Sequence, residues 1–301
     1  MKKRILSLVL ALSMMISLFP VSALAQTPAG GGAALAEENG ETEGTVPITI
    51  KNGVPVGDGG KNWTYEDSML TLNSGTYDFS GETVTCYVKV CSGATVAGGT
   101  FENTVWNGSA DANGGTISGG TFADVNNRGT IIGGTFTGDH GRIINHTTIA
   151  GGVFEKNVTN GDSGDEGISA SITGGLFKAE VQNEADSATI TGGVFVTKPT
   201  GSGTIAKGYT LTTRGATSKF VYAAGGKEID LGQSVYVIPN NTDTLKVACD
   251  GVSNWDVADS SGTHALTNWD GVTLKQDGSF ALNPDKISGT SLTFTISTTP
   301  V

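Results

Sequence analysis

Apolar residues along this chain recur in one short phrase rather than at a helical period. The phrase appears as Val96-Ala97-Gly98-Gly99-Thr100-Phe101 and Ile117-Ser118-Gly119-Gly120-Thr121-Phe122. It returns as Ile131-Ile132-Gly133-Gly134-Thr135-Phe136 and Ile149-Ala150-Gly151-Gly152-Val153-Phe154. The last copies are Ile172-Thr173-Gly174-Gly175-Leu176-Phe177 and Ile190-Thr191-Gly192-Gly193-Val194-Phe195. Leu72-Asn73-Ser74-Gly75-Thr76-Tyr77 reads as a degenerate first copy, with Tyr77 in the Phe place. The aromatic positions lie 24, 21, 14, 18, 23 and 18 residues apart. A fixed phrase with variable spacers predicts a solenoid whose coils carry insertions on one side.

Ile and Phe stand five residues apart, and on an unbroken strand an odd separation puts them on opposite faces. Both are apolar and belong inside, so the Gly-Gly between them must turn the chain and reset the parity. Phe101, Phe122, Phe136, Phe154, Phe177 and Phe195 then stack at about 4.8 Å per coil. Gly-rich turns of an antiparallel sandwich are the alternative, but sandwich strands rarely repeat one phrase six times.

A second phrase follows each Phe: Val105-Trp106-Asn107, Val125-Asn126-Asn127, Ile143-Ile144-Asn145, Val158-Thr159-Asn160 and Val181-Gln182-Asn183. Val90-Cys91-Ser92 fits the same slot, with Ser for Asn. Asn107, Asn127, Asn145, Asn160 and Asn183 are expected to form a structural hydrogen-bond ladder at one corner of the coil. Thr95, Thr116, Thr130, Thr148, Ser171 and Thr189 precede the inward Ile or Val, and Thr100, Thr121 and Thr135 precede Phe. A flat Thr array is a surface for ice or a crystalline polymer; Thr is also simply a good exposed strand residue. Val153, Leu176 and Val194 interrupt the second column.

The flanks differ. Residues 1–25 read as an export signal: Lys2, Lys3 and Arg4, an apolar run from Ile5 to Leu18, and Ala23-Leu24-Ala25 as the cleavage site. Residues 26–45 read as a disordered acidic leader. Residues 46–211 are expected to be a right-handed parallel β-helix with an N-terminal cap. Residues 212–301 alternate in short strands between turns and predict a small immunoglobulin-like β-sandwich.

Loss of the signal takes the net charge from −11 to −14. That argues against nucleic acid and anionic membranes as partners, and no membrane insertion is expected after signal cleavage. A secreted or surface-associated monomer fits. Cys86, Cys91 and Cys249 form neither a disulfide framework nor a zinc pattern.

Candidate chemistry is sparse. Asp162, Asp165 and Glu166 put three carboxylates in one loop, a donor set for calcium. The loop lacks the order of a known calcium loop, and a solvated acidic loop is the plainer reading; no other cofactor is expected. Trp106, Trp255 and Trp269 are candidates to stack on sugar rings, the last two within a repeated Asn-Trp-Asp. Buried packing in the sandwich competes with that role for Trp255 and Trp269. His140, His146 and His264 have no nucleophile partner in sequence. Acids fall at different offsets from the repeat, and Arg128, a basic residue of the kind a lyase needs, has no acidic neighbour in register. No catalytic residue is therefore assigned.

The repeats at 117–122 and 190–195, with Asn62-Trp63-Thr64-Tyr65 leading into Leu70-Thr71-Leu72 and Ala206-Lys207-Gly208-Tyr209 closing, resemble a family. It is that of exported β-helix repeat proteins of Gram-positive bacteria, adhesin-like or carbohydrate-binding. The similarity spans about residues 46–211. It implies a β-helix at the cell surface and a non-catalytic role binding polysaccharide or surface glycan. It brings no catalytic residues. A polysaccharide lyase or glycoside hydrolase, and a structural spacer, are the alternatives.

Overall fold

A computed structural model describes residues 44–138, 143–162, 169–240, 244–250 and 254–297. The expected export signal, nearly all of the acidic leader, His140, Asp165 and Glu166 lie outside them. Among the described residues the chain is all-β, with two single-turn 3-10 helices, and it winds into a parallel β-solenoid of about seven coils.

Each repeat lays down three short strands, and each strand pairs in parallel with its counterpart one coil on. The first ladder carries Val96, Ile117, Ile131, Ile149, Ile172, Ile190 and Ile205. The second carries the six Phe residues. The third carries the five Asn residues. Parallel pairing at strand spacing brings identical side chains into contact. The Phe rings stack with centroids 4.5 to 5.2 Å apart and planes within 14°. The Asn side chains are fully buried and hydrogen-bonded head to tail: each Nδ2 donates to the next Oδ1 at 2.7 to 2.8 Å from Asn107 through Asn183.

The two glycines of the corner act differently. Gly120 has φ +108°, where a side chain is strained. Gly119 has an ordinary φ, but a Cβ there would collide with the Ala97 carbonyl of the preceding coil. The first glycine allows close stacking, and the second makes the turn that returns Phe122 to the interior.

The first coil is registered differently from its reading in sequence. Thr76-Tyr77 pairs with Thr95-Val96, so Tyr77 stands in the Ile ladder and Val84 occupies the Phe position. Phe79 meets Phe101 edge to face instead, at 5.5 Å and 86°. Val88-Lys89-Val90, not Val90-Cys91-Ser92, aligns with Val105-Trp106-Asn107. Leu72 lies below Val90. The Asn ladder starts one coil later at Asn107, whose Oδ1 is buried without a partner on the Val90 side. Two hairpins, Thr49–Lys51 with Val54–Val56 and Trp63–Glu66 with Met69–Leu72, cap this end.

The last coil ends a little short of the expected residue 211: Thr200–Gly201 and Thr204–Ile205 still pair with the coil before. Tyr209–Arg214, whose first three residues are assigned to the β-helix by the sequence pattern, belongs to the C-terminal strands. It pairs antiparallel with Ser234–Ile238 and parallel with Ser291–Ile296. A second sheet places Lys219–Ala224 between Lys227–Gly232 and Leu245–Ala248.

This region is not strung on behind a linker. Ser234–Ile238 also pairs antiparallel with Gly193–Phe195, extending the Phe ladder by one strand. Val153, Leu176 and Val194 point outward from the solenoid, yet they are buried in one apolar cluster with Leu211, Tyr222 and Val237. Their interruption of the Thr column marks where the C-terminal strands dock. Cys86, Cys91 and Cys249 are free thiols.

Candidate functional site

The three candidate tryptophans have different fates. Trp255 is 4 % exposed inside the C-terminal core, so its reading as a sugar platform is corrected. Its strand, Trp255–Asp259, is central, with neighbours on both sides. Trp269 packs against the same cluster, its ring stacked on His264 at 4.3 Å and 11°. The repeated Asn-Trp-Asp is therefore a local likeness without a common face. Trp106 remains on the outside of the solenoid.

Its position follows from strand parity. Val105 and Asn107 point inward and are fully buried, so Trp106 between them must point out. Strand register puts Lys89 on one side of it and Asn126 on the other. Tyr87, 42 % exposed, brings its ring to 5.3 Å from that of Trp106, tilted by 45°. Met69 pairs with Tyr87 one coil earlier. A small hairpin inserted after Asn107, Gly108-Ser109 against Ala112-Asn113, rises at the rim. Met69, Lys89, Trp106, Asn126, Arg128 and the hairpin residues Gly108 to Ala110 line an open pocket of about 280 Å³, with Trp106 rather than Tyr87 forming its aromatic wall. An apolar plate bordered by an amide and two cations can hold one face of a sugar ring and hydrogen-bond its edge.

Sequence reasoning does not find Tyr87, Lys89 or Arg128 as members of this site. The first two come from the coil whose register differs there. Arg128 stands out in the sequence only as a candidate lyase base. The signal that could have found the first two is the alternation Tyr87-Val88-Lys89-Val90, which puts both outward beside the Trp106 strand.

Elsewhere the candidates do not converge. The outward hydroxyl column runs in register from Thr76 to Thr204, with Ser171 in place of Thr at one rung. Beside it Ala97, Ser118 and Ala150 are small, but Ile132 is 53 % exposed and breaks the plane a crystal surface needs. Of the three candidate calcium ligands only Asp162 is described. Among the described residues no three His, Cys, Asp or Glu side chains gather as a metal site. His146 is buried.

Ser261, His264 and Asp259 meet at the turn of the hairpin Trp255–Asp259 with Gly262–Ala265, but not as a catalytic relay. Asp259 Oδ1 accepts from Ser261 N at 2.8 Å and Ser261 Oγ at 2.6 Å, and lies 3.1 Å from His264 Nε2; Oδ2 accepts from Ser288 N at 2.8 Å. The serine hydroxyl donates to the acid and lies 3.2 Å from His264 Nε2, the same ring nitrogen that meets Asp259, so the imidazole does not stand between them as a relay and the arrangement ties a turn. Burial alone would raise the Asp259 pKa; the donors from Ser261, Ser288 and His264 outweigh it and hold the carboxyl well below its usual range. That stabilisation is complete above the ordinary carboxylate pKa of about 4 and is lost as pH falls through the lower folded value. Asp259→Asn is expected to cost about 1–3 kcal/mol at pH 7. The deficit should shrink below pH 4. Urea melts at both pH values check this, and a deficit unchanged with pH would refute the assignment.

No protein-family model, no curated protein and no solved structure matches the chain.

Proposed function

We propose that the chain is a non-catalytic glycan-binding protein of the secreted or cell-surface, adhesin-like kind, binding through the Tyr87–Trp106 face of its solenoid. The observation that carries this reading is the aromatic pair. Two outward rings 5.3 Å apart, beside Lys89, Asn126 and Arg128, stand on strands anchored by the fully buried Val88 and Val105. Rigid strands present such a platform at little entropic cost. The export pattern at residues 1–25 supports the location. The coil is taken as right-handed, the hand parallel crossovers adopt. The immunoglobulin-like reading of the C-terminal strands is supported by two sheets that share one apolar cluster.

The test is retention of the protein on a panel of insoluble and gelled polysaccharides, with the supernatant assayed for released sugar. Retention without release is expected. Trp106→Ala should weaken binding at least tenfold, about 1.4 kcal/mol, with an unchanged melting temperature. Released oligosaccharides would replace this reading with the lyase or hydrolase. Retention undiminished by Trp106→Ala would move the site elsewhere.

A further inference from the structure

We propose that Tyr87 is a positioning residue of the Trp106 pocket: it braces the indole without touching the sugar, and the N-terminal cap holds it in place. This rests on the glycan-binding reading above and divides the roles within that site.

The two rings are not equivalent. Trp106 lines the pocket and Tyr87 does not. Lys89 is the ladder partner of Trp106, so Tyr87, two residues earlier on the same face, is its diagonal neighbour. From there the phenol ring comes within 5.3 Å of the indole at 45°. Rings tilted by that angle cannot both lie flat on one sugar. An outward Trp has several staggered rotamers open to it, and freezing one of them on binding costs affinity. A neighbouring ring that restricts the indole beforehand removes part of that cost.

The cap in turn fixes Tyr87, whose N–H donates to the Ser68 carbonyl at 3.1 Å. Ser68 lies in the turn that joins Trp63–Glu66 to Met69–Leu72, where Asp67 has φ +48° and Ser68 has φ +64°. Asp suits the first place of such a tight hairpin turn, but glycine is the usual second, and Ser68 stands in it under strain. The strained residue adjoins Met69, which lines the pocket and pairs with Tyr87. The cap therefore reaches the pocket twice, directly through Met69 and through Tyr87 by way of the indole.

The experiment replaces the tryptophans of the chain with fluorotryptophan and reads the fluorine resonance of Trp106 in the free protein, assigned by its absence in Trp106→Phe. One narrow line is expected in the parent and in Tyr87→Phe, and a broadened or shifted line in Tyr87→Ala. Retention on the polysaccharide panel is the second readout. Tyr87→Ala should weaken it about two- to tenfold, with Tyr87→Phe unchanged and the same melting temperature in both. A Trp106 line indifferent to Tyr87→Ala overturns the inference, whether or not a glycan binds. Equal weakening by Tyr87→Phe and Tyr87→Ala also overturns it, since the phenol hydroxyl would then meet the ligand. So does a Tyr87→Ala chain that melts lower yet is retained as firmly as the parent, which would make Tyr87 a packing residue alone. A Trp106 line that responds to Tyr87→Ala in a protein that no polysaccharide retains upholds the brace and overturns the glycan-binding reading.

Discussion

Cutting the chain after Ala206 is expected to yield a solenoid that aggregates. The cut uncovers Val153, Leu176 and Val194, which are 4, 0 and 1 % exposed in the intact chain. These three side chains lie in one column at strand spacing, so they form a continuous apolar strip. The cut also frees the edge of Gly193–Phe195, whose next partner is Ser234–Ile238. A flat apolar edge beside an apolar strip is a template for pairing with another copy. Tyr236, which closes the Phe stack at 6.4 Å from Phe195, is lost as well. Light scattering of residues 44–206 against the full chain measures the outcome. A monodisperse truncated solenoid would show that the C-terminal strands are an ornament rather than a cap. Val153→Thr, Leu176→Thr and Val194→Thr together continue the Thr column, and in the truncated chain they should restore part of the solubility.

Phe154→Ala should be the most destabilising single substitution in the solenoid, at about 3–5 kcal/mol. The ring is fully buried between Phe136 at 4.5 Å and Phe177 at 4.7 Å, with near-parallel planes. Its neighbours cannot close the gap, because their separation is set by the hydrogen-bonded spacing of the strands that carry them. The cavity therefore persists, and it is cavity volume that raises the cost of such a change. Solenoid coils interact mainly with their neighbours. Hydrogen exchange should accordingly accelerate most in the strands on either side of Phe154 and least in the hairpin caps. Denaturant melts give the magnitude. A loss below about 1 kcal/mol would mean that the stack relaxes, contrary to the fixed spacing.

The repeat is legible in the sequence because its physics is local. Gly-Gly between Ile and Phe resets strand parity wherever it occurs, so Phe122 and Phe154 can be placed inside without knowing their neighbours. The same parity points Trp106 outward between Val105 and Asn107. The Asn ladder follows from repetition, since parallel stacking must bring Asn127 above Asn107.

Registry, docking and burial are set at long range. Val90 stands where the repeat would place an Asn, and it is the pairing of its strand with Met69–Leu72 and with the Trp106 strand that sets this register. Tyr87 and Lys89 join Trp106 only once that first coil is correctly aligned. Trp255 and Trp269 share a tripeptide, yet Trp255 is buried and Trp269 only half-buried, because burial depends on which sheets close over a residue. Val153, Leu176 and Val194 stand in plain view as an imperfection in a Thr column. Their meaning, an apolar seat for the C-terminal strands, comes only from folding those strands back across the solenoid. Side-chain direction is written into neighbouring residues along the chain, whereas the partner each side chain meets is chosen by apolar burial and hydrogen bonds between distant segments.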